Sequence, residues 1–368
     1  MKNGLIFLES ALQYNHAFVS YVKREIKRHV GELETIHFIK KGEDDIVVIL
    51  EELIAEHRNL FVVTHESFSF AGKIIATICH DGLVLKDEML IPMKAEKFVQ
   101  NSYLIKKGST AINVLKVDIL EKLPQLLIHS RSDFLTFYLF DAEAAHAIEA
   151  EISQLEMQYV KVELAEGLLF YRVGGMHVSQ FDALLGILDR AYRYSVLVGE
   201  DLAQIVCSRL IEGGRKITTA ESCTGGMLAS EIVKNSGVSA VYDGGIVSYA
   251  NEVKHHELGV KARTLEKYGA VSKECVQEML HGVMQKFGAD FALAVSGIAG
   301  PGGGTRYKPV GTVYVGAKCS QKERIIKRLQ LKGDRTYIRE QSVLWAFRLL
   351  VETNREFFFK KIEKTLDK

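Results

Sequence analysis

The sequence predicts an α/β protein in three parts: a three-layer αβα domain over 1–128, a small α+β module over 129–199 and an α/β domain over 200–368. Three observations predict it. Strand-like and helical apolar patterns alternate with short connections, which implies right-handed βαβ units. The 368-residue chain exceeds one ordinary domain. Its composition, 47% hydrophobic and 25% charged with 4 prolines, suits a globular chain with more than one core.

In the first part, 5–8 reads as a strand and 14–30 as a helix, from the spacing of Phe18, Val19, Val22, Ile26 and Val30. A second strand follows over 35–39, then an amphipathic helix over 44–56. The run 60–64 is wholly apolar, as strands buried in a parallel sheet are. The module alternates strand 134–140, helix 142–155, hairpin 159–164 with 168–173, and helix 179–192. Gly174-Gly175 and 195–200 are expected hinges. The last part opens with a helix over 200–212, stopped by Gly213-Gly214. Strand 216–220, helix 224–234, strand 241–249, helix 272–287 capped by Ser272, and strand 290–296 follow. A glycine-rich loop leads to strands 310–318 and 324–331 and a final helix over 337–358.

Bulk properties narrow the function classes. A net charge of +1 supplies no global field, so neither nucleic acid nor membrane is an expected partner. The 5 cysteines (Cys79, Cys207, Cys223, Cys275, Cys319) lack CxxC or CxH spacing, which argues against a disulfide framework and a zinc site. A reducing cytosol is the expected setting. The first apolar run is broken at Glu9, too early for a signal peptide, and no apolar stretch is long enough to span a bilayer.

Four clusters carry chemistry, each where a strand ends or a helix begins. Thr218-Thr219-Ala220-Glu221-Ser222-Cys223-Thr224-Gly225-Gly226 exposes a serine beside a helix start, whose N–H groups suit an anion or oxyanion. The same segment also reads as a capped helix with close-packing glycines. Ser248-Tyr249-Ala250-Asn251-Glu252-Val253-Lys254 offers a tyrosine and a lysine able to activate a serine, or a buried tyrosine beside a surface lysine. Ser296-Gly297-Ile298-Ala299-Gly300-Pro301-Gly302-Gly303-Gly304-Thr305 permits close backbone approach to a ligand, but it is neither a P-loop nor a Rossmann fingerprint. Lys308, Arg335 and Arg339 gather cations. The two arginines sit four apart at a helix start, where cations are unfavourable unless an anion visits.

In order and wording these clusters, with Tyr268-Gly269-Ala270-Val271-Ser272, Lys308-Pro309-Val310-Gly311-Thr312-Val313 and Gly333-Asp334-Arg335, strongly resemble the C-terminal domain of the competence/damage-inducible CinA family. The resemblance runs through 200–360. It implies nicotinamide mononucleotide amidohydrolase activity, with Ser222, Tyr249 and Lys254 as the catalytic set and no cofactor. The expected roles are attack by Ser222, proton transfer to Lys254 through or beside Tyr249, and an oxyanion held by N–H groups near 224–226. Glu221, Thr224, Gly225, Gly226, Ser296, Gly297, Gly300, Gly302, Gly303, Thr305, Lys308, Arg335 and Arg339 are the expected substrate contacts. The alternative is a non-catalytic interaction protein of DNA uptake or damage response.

The first part more faintly resembles the family's molybdopterin-binding-like domain, on Tyr14-Asn15-His16-Ala17-Phe18 and Gly42-Glu43-Asp44-Asp45. Where that domain carries Thr-Gly-Gly-Leu-Gly-Pro-Thr, this chain has Thr64-His65-Glu66-Ser67-Phe68-Ser69-Phe70-Ala71-Gly72. Without the paired glycines a backbone does not curl readily around phosphate, so ADP-ribose pyrophosphatase activity, and the divalent metal it would use, are not expected. Phe68, Phe70 and the apolar 83–85 suggest that this part serves a homodimer, and 129–199 fits the family's linker module.

Overall fold

Apolar runs too short for helices become the central strands of the first unit. The computed structural model describes residues 2–40, 42, 45–128 and 134–362. Its units are Met1–Asp133 and Phe134–Lys368.

In the first unit β1 (Lys2–Phe7), α1 (His16–Val30), β2 (Thr35–Phe38), α2 (Ile46–Glu56), β3 (His57–Thr64) and α3 (Phe68–Ile78) alternate as the sequence predicts. Alternation then stops, and β4 (Leu83–Lys86), β5 (Met89–Pro92), β6 (Lys97–Val99), β7 (Ser102–Lys107) and β8 (Thr110–Lys116) follow without a helix. Tight turns explain this run: Asp87, Glu88 and Asn101 adopt positive φ without being glycine. The main sheet has the order β2-β1-β3-β8-β7-β6, parallel from β2 to β8 and antiparallel beyond. Period-two alternation sends Leu5, Phe7, Phe61 and Val63 toward α1, and Ile6, Leu8, Leu60 and Val62 toward α2 and α3. The result is the three-layer α/β arrangement.

Strand β3 begins three residues earlier than its apolar run because buried polar groups there are satisfied. Asn59 Nδ2 donates to Asn3 Oδ1 at 2.8 Å, and His57 meets Leu53 O and Thr35 Oγ1 at 2.6 and 2.7 Å. Asn15 caps α1, accepting from the Phe18 N–H. After β3 the segment expected as an open loop enters α3. Glu9 Oε1 accepts from the N–H groups of His65 (3.1 Å) and Ser67 (2.5 Å). Phe68 is a core residue packed edge-on against Tyr103, so it is not available to a partner chain. Glu43 and Asp44 lie outside the described residues.

The second unit starts with β9 (Phe134–Leu139), α4 (Ala145–Gln154), β10 (Gln158–Ala165), β11 (Leu168–Gly174), α5 (Val178–Ala191) and β12 (Val196–Val198). These strands form an antiparallel sheet in the order β10-β11-β9-β12. Helices α4 and α5 cover one face, while Tyr138, Leu168 and Phe170 on the other join the core of the C-terminal part. The expected hinges are packed instead. Val196 and Leu197 are buried in β12, and a Cβ on Gly175 would meet Met157 at 2.9 Å.

Then come α6 (Leu202–Gly213), β13 (Ile217–Glu221), α7 (Met227–Val233), β14 (Gly245–Val247), α8 (Asn251–Leu258), α9 (Ala262–Tyr268), α10 (Lys273–Phe287), β15 (Phe291–Gly297), β16 (Thr312–Cys319), β17 (Ile325–Gln330), α11 (Arg335–Thr353) and α12 (Arg355–Phe358). The five-stranded sheet runs β14-β13-β15-β16-β17, its first three strands parallel. Helices α6, α7 and α11 pack on one face and α10 on the other. The carboxyl ends of β13, β14 and β15 thus open on the same edge, where α/β sheets bind ligands. Helix α7 begins later than predicted because Gly225 and Gly226 take positive φ, +58° and +93°. No helix among the described residues is long and apolar enough to cross a membrane.

Candidate active site

Ser222 leaves β13 at the carboxyl edge, its N–H held by Val295 O at 2.9 Å. The turn behind it is built on Glu221, which is fully buried. The Glu221 carboxylate accepts from the N–H groups of Gly226 (2.9 Å), Leu228 (3.0 Å) and Ala229 (2.8 Å). It therefore caps α7 from inside the fold. This corrects two expectations: Glu221 serves the turn rather than a substrate, and the Gly226 N–H is not available to an oxyanion. The Gly225 N–H is also engaged, with Ser222 O at 3.1 Å. The Thr224 N–H has no acceptor among the described residues.

Lys254 projects from α8 beneath this turn and is 1% exposed. Its Nζ lies 3.0 Å from Ser222 Oγ, 2.6 Å from Ser248 O and 3.2 Å from Tyr249 O. It joins no ion pair among the described residues. Burial holds its pKa below the ordinary lysine value, with the nearby Cys275 and Cys223 acting in the opposite sense. A neutral amine carries two N–H donors and one lone pair. Two carbonyls and a hydroxyl that donates would complete that set, and the same three oxygens can also accept from the charged ammonium. The Ser248 N–H and Oγ both donate to Glu221 O, at 2.7 and 3.2 Å, which ties the lysine's carbonyl cradle to β13.

The Tyr249 phenol stands elsewhere. It is 63% exposed and its oxygen accepts from Arg335 Nη2 at 3.1 Å. The Lys254–Ser222 contact is direct, so no tyrosine bridge is needed between them. Arg335 Nη1 also donates to Gly300 O (2.7 Å), and Arg339 Nη2 donates to Thr224 O (2.7 Å). Two buried polar atoms here have no partner among the described residues, Thr224 Oγ1 and Arg339 Nε. Buried donors left unpaired are costly, so a ligand or water that meets them is stabilised. The Cys223 thiol is pushed up to about 12 by burial, so it stays protonated at neutral pH.

The remaining predicted residues divide. Gly300 and Gly303 turn the loop with φ of +84° and +83°, and a Cβ on Gly302 would meet open space. Gly297 lies so close to Val313 that a Cβ would fall 2.7 Å from it. Ser296 is buried and donates to Ala270 O at 2.8 Å. Thr305 Oγ1 accepts from the Lys308 N–H, while Lys308 Nζ donates to Tyr268 O at 2.7 Å. These three brace the loop internally.

Sequence reading missed the Ser248 and Tyr249 carbonyls, whose role no side chain advertises. It also missed Asp334, which caps α11 by accepting from the Tyr337 N–H and offsets the cations there. An aspartate just before a helix is a legible cap signal. Among the described residues no group of three or more His, Cys, Asp or Glu could hold a metal ion.

Residues 199–354 match the family model of the CinA C-terminal domain, and the competence/damage inducible protein CihA from Agrobacterium tumefaciens is 40% identical over 93% of its chain. Over residues 199–354 the chain belongs to the CinA C-terminal domain family. The CihA match covers 42% of this chain with a TM-score of 0.41. The CinA-like protein of Kosmotoga olearia is 38% identical over 249 residues, 67% of this chain and 56% of that protein. The CinA-like protein of Thermotoga maritima is 46% identical over 161 residues, 44% of this chain and 39% of that protein. The chain thus spans about half or less of the length of these CinA-like relatives.

Proposed function

We propose that this site hydrolyses the carboxamide of nicotinamide mononucleotide, releasing ammonia and nicotinate mononucleotide. The observation that carries the reading is Lys254: buried, without a carboxylate partner, and 3.0 Å from Ser222 Oγ. Burial lowers its pKa, and a lysine in its neutral form is a general base for a serine nucleophile.

Ser222 Oγ attacks the carboxamide carbon and its proton passes to Lys254. The tetrahedral oxyanion meets the Thr224 N–H, and Lys254 returns the proton to the leaving nitrogen as ammonia departs. Water then cleaves the ester, its proton again taken by Lys254, and regenerates the serine with a carboxylate product. The reaction consumes only water, so the reading calls for no cofactor. Arg335, Arg339 and Thr224 Oγ1 supply positive charge and unpaired donors for the anionic end of the substrate. A reducing cytosol accords with the five free cysteines.

The test is ammonia release from nicotinamide mononucleotide by the full chain, with Ser222→Ala as the control. Equal release by the two proteins, or none by either, sinks the reading.

A further inference from the structure

At the edge of the five-stranded sheet opposite the one that carries Ser222, two cations face each other across neighbouring strands. Lys318 pairs with Ala292 at the start of β15. Val315 and Ala317 join the core with α11, so the next residue, Lys318, points to the face covered by α10. Ala317 pairs with Ile325, and carrying this antiparallel register one residue further sets Arg324 opposite Lys318. Like charges so placed repel each other. Lys318 is partly buried, and neither side chain has a hydrogen-bond or ion-pair partner among the described residues.

Both side chains line a cleft of ≈ 370 Å³, within the range of about 300–1,000 Å³ usual for small-molecule sites. Lys261, just past α8, and His281 on α10 line it as well. Gly282 lets α10 close against the end of α8 here, since a Cβ on it would collide with Leu258 O. The charges in the cleft do not balance. Glu278 is its one carboxylate among the described residues, and it is already committed. Its Oε2 accepts from the Lys261 N–H at 2.8 Å and its Oε1 from Thr264 Oγ1 at 3.0 Å, with Lys261 Nζ 4.0 Å away. Gln277 and Gln285 add uncharged amide donors to the lining.

We propose that this cleft binds a small molecule through a phosphate or diphosphate group, held by Lys318 and Arg324 with Lys261 and His281 around it. Arginine offers a fork to two phosphate oxygens and lysine a point charge. A bound anion turns the cross-strand repulsion into shared attraction. The concave, small-molecule scale of the cleft and the chain's net charge of +1 favour a compact phosphate over a nucleic acid. The site is separate from Ser222 and independent of the reaction assigned to it.

The experiment titrates inorganic pyrophosphate into the full chain by calorimetry, at constant ionic strength so that screening does not change. The wild type should bind it. Lys318→Gln with Arg324→Gln should bind at least about tenfold more weakly, with circular dichroism showing an unchanged fold. Arg324→Gln alone, at an exposed position, makes the same comparison should the double variant fail to fold. Arg339→Ala, at the opposite edge, should retain this binding. Pyrophosphate should also raise the thermal midpoint of the wild type, relative to sodium chloride of equal ionic strength, and leave that of the cleft variant unchanged. No binding by the wild type at millimolar pyrophosphate overturns the proposal. Equal binding by the cleft variants does so too, as does binding lost in Arg339→Ala. A single-stranded oligonucleotide that outcompetes pyrophosphate in the cleft would replace the small molecule with nucleic acid and overturn it as well.

Discussion

Lys254 Nζ lies 3.0 Å from Ser222 Oγ, with its other two neighbours both backbone carbonyls. In the proposed mechanism, replacing either side chain removes the nucleophile or its activation. Ser222→Ala and Lys254→Met should each lower kcat by roughly 10⁴-fold or more, and the double variant should be little worse than either. Steady-state ammonia release checks this; additive losses would show that the two do not act together.

In the proposed mechanism the depressed pKa of Lys254 should make activity rise with pH. Only the neutral amine accepts the serine proton, so kcat/KM should climb along a limb that lies below the ordinary lysine value of 10.5. The same group sets a stability trend. Between its folded value and 10.5 the unfolded chain binds the extra proton, so the native state gains stability as pH rises through that window. Lys254→Met lacks this slope, and denaturant titrations of both proteins across the window should show the wild type gaining stability relative to the variant as pH rises.

The Tyr249 phenol contacts Arg335, and only the backbone carbonyl of this residue reaches Lys254. Tyr249→Phe should therefore raise KM while leaving kcat within about fivefold, as loss of a binding contact does. A fall in kcat at unchanged KM would restore the phenol to the proton path.

Arg339 carries an unpaired Nε beside the unpaired Thr224 Oγ1. If these donors meet the phosphate, Arg339→Ala should weaken nicotinamide mononucleotide by about 2–3 kcal/mol in kcat/KM. It should barely change nicotinamide riboside, which has no phosphate. Equal losses for both substrates would move the contact to another part of the ligand.

Glu221→Gln keeps the shape of the buried carboxylate but turns an amide group toward three N–H donors that need acceptors. A loss of about 2–3 kcal/mol in unfolding free energy is expected from denaturant titration. An unchanged midpoint would mean that the turn holds without its internal cap.

Much of the architecture is legible because period and length decide it. The apolar spacing of α1 and the unbroken run inside β3 locate both. The five strands between Leu83 and Lys116 are not legible in this way. Two of their turns rest on Asp87-Glu88 and Asn101 rather than on glycine, only the β7–β8 turn carries a glycine at positive φ (Gly108), and the strands themselves are short. In the site, Ser222 and Lys254 stand out by residue type and setting. The purpose of Glu221 does not, because a carboxylate beside a nucleophile reads equally as ligand contact or internal cap. Only its burial separates the two.

The Glu9 carboxylate that accepts from His65 and Ser67 at the entrance to α3 has a competitive consequence. Those donors lie at the carboxyl edge of a parallel sheet, where a free anion would otherwise settle. A carboxylate tethered to the same chain faces them at an effective concentration in the millimolar range or above, before any ligand arrives. A visiting phosphate must displace this resident anion, and it must do so from dilute solution.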